Sequence, residues 1–198
     1  MFHKVKVTLY EWSHSNYPWL TQQANLILST LLKPTDMGLE WGSGRSTIWF
    51  TQRVKYLTSV EHDEAWYKKV SSKLKANNIL NVNYILCKAA EGQEKPEESS
   101  YVQVVNTFSE DTLNFVLIDG LYRDVCSNMV LEKIRPGGIL IVDNANWYLP
   151  HDSTSPDSRP KNSGPSSEEW GHFLDRVKNW RLIWTSNGVW DTAIWFKG

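Results

Sequence analysis

Glu40, Gly42, Ser43, Gly44, Ser46 and Thr47 lie together in the run Gly38-Leu39-Glu40-Trp41-Gly42-Ser43-Gly44-Arg45-Ser46-Thr47. A short apolar stretch ends in a carboxylate, two glycines alternate with small residues, and a helical pattern follows. Such a run describes a strand entering a tight turn at a helix N-terminus. The glycines permit a sharp turn and let a ligand lie close to the backbone. The first N–H groups of the helix favour an anionic group at the same place. The loop therefore suits a nucleotide-like ligand bearing a carboxylate or phosphate.

Further chemistry-bearing residues recur at the ends of apolar runs. Glu61, followed by His62, ends Tyr56-Leu57-Thr58-Ser59-Val60 about twenty residues on, where an acidic residue takes ribose hydroxyls. Asp119 ends Phe115-Val116-Leu117-Ile118 and is followed by Gly120, Tyr122 and Arg123. Asp143-Asn144 ends Ile139-Leu140-Ile141-Val142. Tyr122 and Arg123 are placed to touch a substrate, and Arg123 can pair with an acidic substrate group or cap the carboxylates at the sheet end. His172 sits beside apolar residues and suits a packed or surface role.

The elements that position these residues can be read in order. Residues 1–16 resist assignment and are expected to form an arm. Pro18 to Leu32 reads as a helix, with Pro18 in its first turn and Leu20, Ala24, Ile27, Leu28 and Leu31 at helical spacing. Strands are expected at 37–40, 56–61, 82–87, 115–119 and 139–143. Between them, helices are expected at about 45–53, from Asp63 through Leu74, and at about 124–134. Asp63 is a natural cap, with Trp66, Val70 and Leu74 on one face. Residues 91–100 read as a polar surface loop. Residues 145–167, rich in proline and serine, form the longest irregular stretch and suit an active-site lid. Trp170, Phe173, Leu174 and Val177 mark a later helix. Asn187-Gly188 between two strand-like runs marks a hairpin. Alternating strands and helices imply an α/β fold, doubly wound, with a mostly parallel seven-stranded sheet and an antiparallel C-terminal hairpin.

Composition narrows the setting. The chain has 198 residues, enough for a full core and most simply one domain. A net charge of −1 gives no bulk attraction to nucleic acid or membrane. Eleven tryptophans are unusual and are expected mostly in the core or in pocket walls. Cys87 and Cys126 show no metal-ligand spacing and read as free thiols of a reducing cytosol. No signal peptide or membrane-spanning run is recognisable. A cytoplasmic protein is expected.

A dinucleotide fingerprint needs a third small residue where Thr47 stands. The pattern Glu-x-Gly-x-Gly-x-Ser/Thr instead resembles the first motif of class I S-adenosylmethionine (SAM) dependent methyltransferases. The resemblance extends through Glu61, the run ending at Asp119, and Arg135-Pro136-Gly137-Gly138 feeding the strand that ends at Asp143. It covers most of residues 37 to 197. It implies a Rossmann-like fold with SAM as cofactor. Glu40 would then orient the methionine amino group, Gly42 and Gly44 admit the cofactor, and Ser43, Ser46 and Thr47 cap the helix or donate to the carboxylate. Glu61 would accept the ribose hydroxyls, His62 would pack on the adenine, and Ala89, Ala90 and Glu91 would meet the adenine edge.

Asp119 with Asp143-Asn144 resembles the metal triad of catechol-type and caffeoyl-CoA-type O-methyltransferases, which implies Mg²⁺ holding a vicinal diol. The alternatives are that Asp119 orients the substrate or the sulfonium and that Asp143 and Asn144 hold the first turn of the lid. Without a metal, an unactivated hydroxyl needs a base, and His151 has a suitable intrinsic pKa. The expected partner is a small-molecule acceptor, most simply an oxygen nucleophile, and a homodimer is compatible with the chain. The competing readings are a binding protein that holds SAM or its product without turnover, and an NAD-type oxidoreductase. An aminopropyltransferase would need a second acidic cluster to cradle a polyamine, and none is visible in the sequence.

Overall fold

Parallel strands covered on both faces need apolar side chains at every position. Phe115-Val116-Leu117-Ile118 and Ile139-Leu140-Ile141-Val142 supply them, and all eight are buried. The computed structural model describes residues 2–88 and 95–198. Its strands are β1 (Met37–Trp41), β2 (Tyr56–Glu61), β3 (Val82–Leu86), β4 (Leu113–Ile118), β5 (Ile134–Asp143), β6 (Arg181–Ser186) and β7 (Asp191–Phe196). They form one sheet in the order β3-β2-β1-β4-β5-β7-β6. β1 to β5 are parallel, and β7 runs antiparallel between β5 and β6.

The helices are α1 (Phe2–Ser13), α2 (Gln22–Leu31), α3 (Arg45–Thr51), α4 (Glu64–Ala76), α5 (Ser100–Gln103), α6 (Arg123–Val130), α7 (Ala145–Tyr148) and α8 (Glu168–Val177). Alternation along the strands builds two cores. Phe115, Leu117, Ile139 and Ile141 pack with Leu28, Trp49 and Phe50 on one face. Val116, Ile118, Leu140 and Val142 pack with Cys126, Val130, Trp170 and Phe173 on the other. The expected doubly wound sheet is thus present, with helices on both faces. Strand order reverses between β1 and β4, so a crevice opens beyond their carboxyl ends, where ligands of open α/β sheets bind.

Several boundaries differ from expectation, each for a local reason. The second helix begins at Gln22 and not at Pro18, because the Thr21 side chain accepts the Ala24 N–H at 3.2 Å. Pro18 instead precedes the helix, its carbonyl accepting from Asn25 Nδ2 at 3.1 Å. The supposed arm is largely helix α1, which exposes Val5, Leu9 and Trp12. An aromatic chain joins it to α3: Tyr10 stacks on His14 at 4.2 Å, His14 meets Tyr17, and Tyr17 meets Trp49. β5 starts at Ile134, because its ladder with β4 shifts register around Arg135–Gly138 and resumes at Ile139. Part of the expected polar loop is helical: Ser99 caps α5, which buries Tyr101 and Val102. Residues 91–94 of that loop, with Ala89 and Ala90, lie outside the described residues.

Residues 149–167 carry neither helix nor strand, yet they are tied down. Arg159 N–H donates to the Asn146 carbonyl at 2.8 Å, and Ser166 N–H donates to the Tyr148 carbonyl at 2.8 Å. Ser155 Oγ donates to Asp191 Oδ1 at 2.6 Å. Cys87 and Cys126 are buried free thiols. No described helix is long and apolar enough to cross a membrane.

Candidate active site

The turn after β1 is built against the turn after β4. Gly42 has φ +92°, and a Cβ there would lie 2.7 Å from the Asp119 carbonyl carbon and 2.8 Å from Gly120 N. Gly42 is therefore required for backbone packing within the protein. Gly44 differs, because its nearest neighbour to a Cβ would be the Trp66 ring at 3.7 Å. Of the two, Gly42 lines the cavity at this turn, while Gly44 lines a separate cleft with Trp66, Lys69 and Lys73.

Glu40 points to the α3 side of β1 and is fully buried. Its Oε2 accepts from Thr47 Oγ1 and Ser59 Oγ, each at 2.7 Å. Thr47 Oγ1 in turn accepts the Gly44 N–H at 2.9 Å, so this carboxylate organises the start of α3. Oε1 has no partner among the described residues. Burial raises the Glu40 pKa to about 7, against the lowering effect of the Ser46, Ser59 and Thr47 hydroxyls. Ser46 is itself buried in the first turn of α3.

Glu61 is 3% exposed and acts as a latch. Oε2 accepts from Ser43 N at 3.2 Å and Ser43 Oγ at 2.6 Å, while Oε1 accepts from His62 N at 2.8 Å and Asp63 N at 2.9 Å. Tyr84 OH lies 2.7 Å from Ser43 Oγ. Because that hydroxyl already donates to Glu61, the phenol is the donor. A ribose diol at Glu61 would exchange with Ser43 and not find a free carboxylate. His62 Nδ1 lies 3.1 Å from Glu61 Oε1.

From α4, Trp66 Nε1 donates to the Ser43 carbonyl at 2.7 Å. Trp19 stacks on Trp66 with ring centroids 6.1 Å apart, and the Arg45 guanidinium lies 4.8 Å from the Trp19 ring centroid. Together with Gly42, Glu61, Asp119 and Gly120 these rings enclose a cavity of about 460 Å³, which Ser43 and His62 also line. Trp66 carried no signal beyond its place on a helix face. In sequence it reads as core.

Asp119, Asp143 and Asn144 are brought together, but around a guanidinium. Arg123 Nη2 donates to Asp119 Oδ1 at 3.0 Å and to the Asp119 carbonyl at 2.9 Å. Nη1 donates to the Asp143 carbonyl at 2.5 Å and to Asn144 Oδ1 at 3.1 Å, and Nε donates to the Gly120 carbonyl at 3.0 Å. Asp143 Oδ1 accepts from Thr192 Oγ1 at 2.7 Å. The Mg²⁺ triad expected here does not fit this donor set, since two of its three side chains already face a fixed cation. Among the described residues, no group of three or more His, Cys, Asp or Glu is arranged to hold a metal ion. Arg123 thus takes the capping role that its position allowed.

Burial raises Asp119 to about pKa 6 even though Arg123 pulls the other way. Asp143 is raised well above the usual carboxylate range, first by burial and then by the Asp119 charge.

A second cavity of about 370 Å³ adjoins the first, lined by Glu11, Trp19, Asp119, Asp143, Asn144 and Trp190. Trp19 and Asp119 line both. Its walls include Glu11 and Trp19 of the N-terminal segment and Trp190 of the β6–β7 turn, and Thr154 of the expected lid lines the adjoining cavity under α1. The 149–167 stretch is anchored to α7 and β7. Glu11 and Trp190 escaped the sequence reading because one lies in the unassigned arm and the other in a hairpin turn.

His151 is not brought to the crevice. It stacks on Trp184 of β6 with ring centroids 4.0 Å apart, lines neither cavity, and is shifted to lower pKa by burial. Tyr122 lines neither cavity and has φ +49° as the cap of α6. His172 is exposed on α8, as expected.

No protein-family model matches the chain, and no curated protein matches it in sequence. Solved structures do. A Streptococcus mutans methyltransferase candidate in complex with SAH is 16% identical, with TM-score 0.60, over 89% of this chain and 97% of its own. A Staphylococcus aureus caffeoyl-CoA O-methyltransferase candidate is 17% identical, with TM-score 0.62, over 96% of this chain and 91% of its own. A SAM-dependent methyltransferase from Aquifex aeolicus is 13% identical, with TM-score 0.53, over 97% and 96%. With the strand order above, these matches define the fold as the Rossmann-like fold of class I SAM-dependent methyltransferases.

Proposed function

We propose that the protein transfers the methyl group of SAM to a small-molecule acceptor. The observation that carries this reading is the pair of cavities meeting at Asp119, one walled by the glycine turn and Glu61, the other by Trp19, Trp190 and Asp143. The residues present fit SAM. Gly42, Ser43, Glu61 and His62 line the cavity at the glycine turn, and Glu40 Oε1, buried at the end of β1, has no partner among the described residues. When bound, SAM supplies an already activated methyl on a sulfonium. The protein's task is then to position the acceptor and exclude water. Glu61 and Ser43 hold the cofactor turn, Trp19 closes it from the N-terminal side, and Arg123 fixes the ends of β4 and β5.

An oxygen acceptor was the expectation from sequence, and it leaned on Mg²⁺ at the acidic triad or on His151 as base. Neither support is present in the site, so the reading is kept at methyl transfer to a small molecule. The test is incubation with SAM and panels of hydroxyl, thiol and amine acceptors, read by mass spectrometry for SAH and for a methylated product. SAH binding without any methylated product from any class favours a non-catalytic binder and contradicts the reading.

A further inference from the structure

Three carboxylates and two indoles line an open cavity at the ends of β4 and β5. Glu11, Asp119 and Asp143 supply the charge, Trp19 and Trp190 the aromatic walls, and Asn144 completes a lining of about 370 Å³. Among the described residues no Lys or Arg is part of that lining, although the Arg45 guanidinium lies 4.8 Å from the Trp19 ring centroid. The Arg123 guanidinium is committed to Asp119, Asn144 and three main-chain carbonyls. Asp143 is 3% exposed and still lines the cavity, with one oxygen taken by the Thr192 hydroxyl. Lys6 and Arg45 belong to the adjoining cavity of about 390 Å³ under α1, which shares Glu11 and Trp190 with this one.

Asp143 is buried and Glu11 and Asp119 are half-buried, and like charges gathered partly out of water favour a cation beyond the one that Arg123 supplies to Asp119. Burial holds Asp119 and Asp143 above the ordinary carboxylate range, the Glu61 charge adding to it at Asp119 and the Asp119 charge at Asp143, even against the pull of Arg123. Indole faces attract organic cations, and desolvation strengthens that attraction. An anionic group entering here would meet carboxylates from α1, β4 and β5 at once. The cluster is invisible in sequence because Glu11 stands more than a hundred residues from Asp119.

We propose that this cavity binds the acceptor through an ammonium group, so that the substrate class is a small organic amine whose cation lies between Trp19 and Trp190 and faces Glu11, Asp119 and Asp143. This rests on the methyl-transfer reading, which gives the cavity its role. The body of the molecule continues toward the cavity under α1.

The test is calorimetry on the full chain. It is titrated first with SAH, and then, saturated with SAH, with benzylammonium, benzyl alcohol and benzoate at neutral pH. Benzylammonium is expected to bind at least about tenfold more tightly than either isostere. Glu11→Gln is expected to remove most of that preference while leaving SAH affinity and the circular dichroism spectrum unchanged. Asp143→Asn is a second variant with the same expected loss. Equal or tighter binding of the alcohol or of benzoate, no binding of benzylammonium, or a preference that survives both substitutions overturns the amine assignment. Absence of SAH binding in the first titration overturns the methyl-transfer reading itself and the amine assignment with it. SAH binding without a cation preference overturns only the latter.

Discussion

Arg123 Nη2 stands 3.0 Å from Asp119 Oδ1, and the same guanidinium reaches Asn144 Oδ1 and the carbonyls of Asp119, Gly120 and Asp143. One side chain therefore fastens the ends of two neighbouring strands and occupies the place a divalent cation would need. Both members of this ion pair are more than two-thirds buried, with side chains 14% and 29% exposed. Removing one leaves the other under-compensated.

Arg123→Met is accordingly expected to lower stability by about 2–4 kcal/mol in urea unfolding. In the unsubstituted protein, Mg²⁺ and EDTA are expected to leave the melting temperature unchanged. A rise on adding Mg²⁺ would show that metal enters despite the guanidinium.

Glu40 carries a distinct pH signature. Its folded pKa of about 7 lies above the unfolded value, so the folded state binds more protons between the two. The carboxyl's stabilising effect is full below about pH 4.5 and is lost as pH rises to about 7, a change of roughly 3 kcal/mol. Asp119 and Asp143 shift in the same direction, so the Glu40 share is read by difference. Glu40→Gln keeps an acceptor for Thr47 and Ser59 and should flatten the fall in stability between pH 5 and pH 8 by about that amount. An unchanged slope would mean that Glu40 stays ionised in the folded protein.

The two glycines of the turn carry unequal packing demands. Gly42→Ala is expected to cost about 2 kcal/mol or more, from a strained positive φ and a clash with the Asp119–Gly120 backbone. Gly44→Ala, whose Cβ meets only the Trp66 ring at an ordinary 3.7 Å, should melt within a few degrees of the unsubstituted protein and bind SAH within about threefold. Thermal unfolding and calorimetry on both variants check this, and a tenfold or greater loss of SAH affinity in Gly44→Ala would place the ligand against Gly44 instead of Gly42.

His151→Ala should change the rate of methyl transfer less than about threefold, because the imidazole packs on Trp184 and not in the crevice. A general base is worth about a hundredfold or more. A loss of that size, with an altered pH profile, would restore the base role.

The sheet was legible because parallel strands advertise themselves. Phe115–Ile118 and Ile139–Val142 are apolar at every position, and each ends in an acid at the turn. The site was legible where it follows those strand ends, at Gly42, Ser43, Glu61, His62, Asp119, Asp143 and Asn144, which line the two cavities. Their roles were not. Whether Glu61 is free or already holds Ser43 depends on the loop it faces, and whether Asp119 and Asn144 bind metal depends on where Arg123 points. Pro18 misled because a proline suits a first helical turn, while the Thr21 cap and the Asn25 bond to the Pro18 carbonyl set the true start. Glu11, Trp66 and Trp190 join the site through tertiary packing alone.

The most direct test of the central claim is a thermal-shift titration of the purified chain with SAH, with NAD as control. At a hundredfold excess over Kd, binding to the folded state adds about 2.7 kcal/mol, or about 5–10 °C for a domain of this size. The expected result is a concentration-dependent rise with SAH and none with NAD. A rise with NAD alone, or none with SAH, would contradict SAM-dependent chemistry at the glycine turn.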